Sequence, residues 1–115
     1  MTFGKKRMAY NLNIHWRGEL VGELRNAIPD MLYLEGTWIP LSSVVSDSFQ
    51  TLVESFDIRS VFDDHTKGTR VILFERDSKS DPGNHAVVIS LREGRLLLRR
   101  YMDDTAVEWL MNHVP

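Results

Sequence analysis

The sequence predicts one α+β domain of two layers: an antiparallel sheet of about six strands, in the order β-β-β-α-β-β-β-α, with two helices packed on one face. Three features predict it. Apolar and polar residues alternate over several short runs, which is the period of a half-buried strand. The period changes to 3.6 residues in two places, after Pro40 and near the last residues. Glycine, proline, asparagine and aspartate separate the runs at spacings that suit hairpins. Stacking both helices on one sheet face gives each apolar stripe a partner.

Residues 1–10 carry Lys5-Lys6-Arg7 and no apolar period, so they read as a mobile leader ahead of a single domain over 11–115. Leu12, Ile14 and Trp16 alternate with Asn13, His15 and Arg17, which gives a strand over 11–17. Leu20, Gly22 and Leu24 give its hairpin partner. A three-residue loop eased by Gly18 is expected, because it sets Trp16 opposite Leu20 and Leu12 opposite Leu24. Pro29 has no N–H for a ladder, so Asn26 to Asp30 is expected to turn. The third strand, over 31–39, is apolar on both faces. Gly36 within it reads as a bulge or close-approach point that leaves a groove beside Trp38.

Val45, Phe49, Leu52, Val53 and Phe56 then share one helix face, with Ser42, Ser43 or Asp47 available as caps. Residues 57–62 read as a short strand or apolar plug and 63–68 as a polar turn. A strand over 70–76 precedes a polar loop over 77–84. Residues 85–92 and 95–101 form a hairpin around Glu93-Gly94, its two-residue loop pairing Leu91 with Leu96, Ile89 with Leu98 and Val87 with Arg100. Thr105 and Glu108 have capping-box spacing before a last helix whose apolar face holds Ala106, Trp109 and Leu110.

Composition removes several function classes. At 115 residues, 43% apolar and 26% charged, the chain has the make-up of one ordinary globular domain. With no cysteine it has no disulfide, thiolate metal centre or thiol nucleophile. No apolar run approaches the roughly 20 residues of a membrane span, and no signal peptide is evident, so a cytoplasmic location is expected. The net charge of −2 is segmented, at +3 over 1–26, −6 over 27–66, +4 over 67–100 and −3 over 101–115. A dedicated nucleic-acid binder has a more basic balance. Phosphate-binding glycine loops, dinucleotide fingerprints, paired-histidine zinc motifs and serine-nucleophile elbows are missing. No metal or cofactor is expected.

His15, His65, His85 and His113 occur singly. His15 and His85 fall on the side of their strands opposite the apolar stripe, where they would face each other as an acid–base pair for phosphodiester chemistry. Asp63-Asp64-His65 offers cation ligands, but sequence neighbours rarely converge on one ion, and a solvated turn explains them. Asp103-Asp104 suits the N-terminus of the last helix. Trp16, Trp38 and Trp109 are in phase with buried stripes and are expected in the core.

The last hairpin is more informative. If Val87, Ile89, Leu91, Leu96 and Leu98 are buried, then Ala86, Val88, Ser90, Arg92, Arg95, Leu97, Arg99 and Tyr101 share the outer face. Arginine and tyrosine around apolar centres have the composition of protein-recognition hot spots. Arg92, Arg95, Leu97, Arg99 and Tyr101 are therefore the expected partner-binding residues of a non-catalytic protein-binding domain of adaptor, inhibitor or immunity type. Self-association is expected through this face or an edge strand. Single-stranded nucleic-acid binding on the same face is the alternative, and a His-based hydrolase or phosphodiesterase is a second.

Overall fold

In the computed structural model, which describes residues 9–76 and 82–115, six antiparallel strands close into a barrel. In chain order the elements are β1 (Tyr10–Trp16), β2 (Glu19–Asp30), β3 (Tyr33–Pro40), α1 (Val44–Glu54), α2 (Ile58–Asp63), a 3-10 turn (His65–Lys67), β4 (Thr69–Glu75), β5 (Asn84–Arg92), β6 (Arg95–Tyr101) and α3 (Asp104–His113). Around the barrel the strands run β1-β2-β3-β6-β5-β4. The pairing of β1 with β4, Leu12 opposite Glu75 and His15 opposite Ile72, seals the sheet. This corrects the open two-layer sheet with helices on one face. Alternation shows which side chains share a face, but not whether that face stays open or curls around itself. Most of residues 1–10, and 77–81 of the expected loop, lie outside the described residues.

The barrel is filled by side chains, among them Ile14, Leu24, Leu34, Leu73, Leu96 and Leu98, all at or near zero exposure. α1 stoppers one end. Its N-cap Ser43 accepts from the Ser46 amide at 3.1 Å, and the Ser46 hydroxyl donates to the Val21 carbonyl at 2.6 Å, tying the helix start to β2. Phe49 is thereby lodged in the opening, 5.5 Å from the Trp16 ring and 5.4 Å from that of Trp38. Each indole N–H finds an acceptor at 2.9 Å, Thr69 Oγ1 for Trp16 and Gln50 Oε1 for Trp38. At the other end Arg100 donates from Nη2 to the Met31 carbonyl at 2.6 Å.

A second apolar cluster lies outside the barrel, where Val61 of α2 and Leu110 of α3 pack on Val87, Ile89 and Tyr101. The residues expected on one buried face of the last hairpin thus divide, Leu91, Leu96 and Leu98 inside the barrel and Val87 and Ile89 under helices. Residues 57–62, expected as a short strand or apolar plug, are no strand: Asp57 is the N-cap position of α2 and 58–62 are helical, with Val61 buried in the outer cluster.

Bulges set the registers. The first hairpin has a two-residue turn, Arg17 at φ 53° and Gly18 at φ 82°, the left-handed pair that matches strand twist. Trp16 therefore faces Glu19, and a bulge between Ile14 and His15 brings Leu12 opposite Leu24. The expected three-residue loop is replaced by turn plus bulge. β2 runs through the expected turn at 26–30: Asn26 takes φ 54° at an irregularity, Pro29 pairs with Leu34, and the reversal falls at Met31-Leu32. Gly36 leaves no groove, since a Cβ there would lie 2.8 Å from the Arg25 carbonyl, and the Trp38 ring covers Gly22. Asp103, not Thr105, caps α3, accepting from the Ala106 amide at 2.8 Å. Among the described residues no helix is long and apolar enough to cross a membrane.

Candidate functional site

β5 and β6 meet at Glu93-Gly94 with Leu91 opposite Leu96, but a bulge between Val88 and Ser90 sets Val88 opposite Leu98 and Val87 opposite Arg99. Ala86 and Val88 consequently join the barrel interior, while Val87 and Ile89 turn outward beneath α2 and α3. This corrects both the pairing of Val87 with Arg100 and the division of β5 between the faces. A single bulged residue reverses every side chain on one side of it.

The five predicted partner-binding residues separate into two groups. Arg92 and Arg95 are exposed cross-strand neighbours beside the turn, and Arg95 reaches Thr37 Oγ1 at 3.3 Å and Glu35 Oε1 at 4.0 Å. Leu97 is half-buried against the outer cluster. Arg99, opposite Tyr33, lays its guanidinium over the Tyr101 ring, 4.6 Å from the centroid. Tyr101 itself is only 7% exposed and supports this face from below.

Around Arg99 and Tyr101 the fold assembles aromatic residues that the strand pattern did not indicate. Tyr33 stacks on Phe62 at 5.5 Å, with their planes 6° apart. Tyr101 stacks on Trp109 at 6.2 Å, and Trp109 on His113 at 4.8 Å. The His65 ring meets the Tyr101 ring edge-on, and its Nδ1 is hydrogen-bonded to the Tyr101 hydroxyl. Phe62 remains 49% exposed and Trp109 40%, so Trp109 is not the core residue its phase predicts. Its spacing of four from His113 was the available signal, because residues four apart in a helix stack on one flank.

Burial holds the His65 imidazole below its usual pKa, helped by Arg99 and opposed by Asp64. Burial raises the Tyr101 phenol, with Arg99 acting in the other direction. Asp64 caps the 3-10 turn, accepting at Oδ1 from the Thr66 hydroxyl at 2.6 Å and amide at 3.1 Å, and these bonds lower its pKa. Among the described residues no three metal-ligating side chains converge, and no carboxylate pairs with Arg99. The arrangement is a cationic centre flanked by exposed rings.

His15 and His85 lie elsewhere, on β1 and β5 with Ile72 of β4 between them in register. Both line an open cavity of about 430 Å³. Comparison with protein-family models, with curated proteins and with solved structures finds no match.

Proposed function

We propose that this chain is a non-catalytic protein-binding domain, of adaptor, inhibitor or immunity type in a cytoplasmic setting, whose partner docks on the aromatic face around Arg99. The supporting observation is that Phe62 and Trp109 stand half-exposed, one stacked on Tyr33 opposite Arg99 and the other on Tyr101 beneath Arg99, an arginine that no carboxylate neutralises among the described residues. Rings stacked at fixed angles lose little freedom on binding, and Arg and Trp are over-represented among residues that dominate interface energy. The matching partner surface carries an acidic side chain between apolar ones. Arg92 at the end of β5, with Arg95 and Leu97 of β6, extends the contact toward the hairpin turn. The edge-strand route to self-association is withdrawn, because a closed barrel has no edge.

Affinity capture from nuclease-treated lysate of the source tests this reading with tagged wild type, Arg99→Glu and Phe62→Ala, and Arg25→Glu as a distant charge control. The expected result is a protein retained by wild type and Arg25→Glu, and reduced about tenfold or more by the two face variants. Recovery of a second copy of the chain that depends on the same residues makes the partner itself. Equal retention by all four proteins overturns the reading, as does recovery that nuclease abolishes, which transfers the face to single-stranded nucleic acid.

A further inference from the structure

Among the described residues, no helical residue lines the cleft formed by His15, Arg17, Arg70, Ile72, Phe74 and His85 on the outer face of β1, β4 and the start of β5. We propose that this cleft binds a small organic phosphate, its phosphate held between Arg17 and Arg70 and its planar apolar body lying over Ile72 toward Phe74. The proposal concerns a different face from the aromatic one and does not rest on it.

Register fixes the layout. His15 pairs with Ile72, and Ile72 with His85, so the two imidazoles flank one isoleucine at the same level of the barrel. Arg17 follows His15 by two residues, in the turn after β1, and Arg70 precedes Ile72 by two, so both cleft-lining arginines lie beyond the imidazoles in the same direction, where the Arg70 backbone N–H bonds to Pro115. In the other direction Asn13 pairs with Phe74. From end to end the cleft therefore runs from two guanidiniums, through two imidazoles beside an aliphatic floor, to an aromatic ring.

The cationic end is held in place before any ligand arrives. Arg17 is fixed by its left-handed turn, φ 53°, and its guanidinium lies 4.1 Å over the Trp16 ring. Stacking uses the face of the guanidinium and leaves its N–H edges free to donate. Arg70 donates from Nε to the Val114 carbonyl at 2.9 Å and from its backbone to Pro115 at 3.0 Å, leaving the terminal nitrogens uncommitted among the described residues. Among the described residues no aspartate or glutamate lines the cavity, whose lining also includes Pro115. Two guanidiniums lining one end of a cleft repel each other, and an anion with several acceptor oxygens relieves that repulsion through charge-assisted bonds. A carboxylate has two oxygens to offer four donor side chains; a phosphate ester has three.

The apolar end is equally built. Phe74 meets the His15 ring edge-on at 4.8 Å, fixing both. Gly83 packs on the same side chains, since a Cβ there would sit 2.6 Å from Ile72 Cγ2 and 2.9 Å from Phe74 Cε1, which holds both in place. At the Arg17-Gly18 turn nothing lies within 4 Å of a Cβ built on Gly18, which leaves a mouth. The volume of about 430 Å³ is within the range of small-ligand sites.

Isothermal titration with adenosine 5′-monophosphate, p-nitrophenyl phosphate, inorganic phosphate and adenosine tests the assignment. Saturable binding of at least one ring-bearing phosphate is expected, with inorganic phosphate and adenosine each about tenfold weaker or more. Arg17→Gln and His85→Gln should each weaken that binding about tenfold with an unchanged thermal midpoint, since neither side chain enters a core cluster. Absence of saturable binding by both ring-bearing phosphates overturns the proposal. So does adenosine binding as tightly as its monophosphate, inorganic phosphate binding as tightly as either ester, or affinity indifferent to both substitutions.

Discussion

Trp16 Nε1 donates to Thr69 Oγ1 at 2.9 Å, a buried bond that joins residues 53 positions apart where β1 approaches the start of β4. The same hydroxyl donates onward to the Pro115 carbonyl at 3.2 Å. One side-chain oxygen thus links the barrel wall, the stoppered end and the segment after α3. Thr69→Val keeps the shape and removes the acceptor, leaving a buried indole N–H unsatisfied, and is expected to destabilise the fold by about 1–3 kcal/mol. Thr69→Ser, which retains the oxygen, should lose less. Urea unfolding followed by tryptophan fluorescence compares them.

A Cβ at Gly22 would lie 2.5 Å from the Ile39 carbonyl and 2.5 Å from Cη2 of Trp38. The indole is pinned by its bond to Gln50, and the carbonyl belongs to the paired strand, so neither retreats easily. Gly22→Ala is expected to lower stability by about 1–3 kcal/mol despite being a small change in an extended strand. Its near-UV circular dichroism should also change, because Trp38 must move.

His65 supplies a pH dependence. Burial, with Arg99 second, depresses its folded-state pKa below the ordinary imidazole value of 6.5, so between those two values the unfolded chain binds more protons than the folded one. Its contribution is complete above the unfolded value and is lost as pH falls from there toward the folded value. Thermal midpoints measured from about pH 7.5 down to about 5.5 should therefore fall more in wild type than in His65→Gln. Equal slopes would remove His65 as a source of acid sensitivity.

Glu93 occupies the first turn position of the β5–β6 hairpin at φ 52°, a left-handed conformation that asparagine adopts more readily than glutamate. Glu93→Asn should raise the free energy of unfolding by up to about 1 kcal/mol. Chemical denaturation detects this as a higher midpoint with an unchanged slope.

Local structure was legible wherever one period persisted. β6 coincides with the run from Arg95 to Tyr101, and α1 begins beside one of the serines chosen as caps. Strand pairing was less legible, because bulges near His15 and Ile89 change the face on which later residues fall without altering composition. Closure was not legible, since Leu12 and Glu75 carry no local mark of their pairing. At the aromatic face, Arg99 and Tyr101 follow from alternation with Leu96 and Leu98. Phe62 and Trp109 arrive on helices whose docking no short-range pattern specifies. His15 and His85 fall on one face in any antiparallel arrangement that keeps their phase, and the structure places a single strand between them.

The closed ring also imposes an order on its own assembly. The hairpins at Arg17-Gly18, Met31-Leu32 and Glu93-Gly94 need only local contacts, whereas the pairings of Leu12 with Glu75 and of Tyr33 with Arg99 must bring distant parts of the chain together. Such topologies fold slowly relative to helical domains, because loop-closure entropy is lost before the distant contacts form. Until β4 reaches β1, both strands present unpaired backbone groups. The hazard of intermolecular strand pairing is therefore concentrated in the refolding interval, and a completed barrel is withdrawn from it.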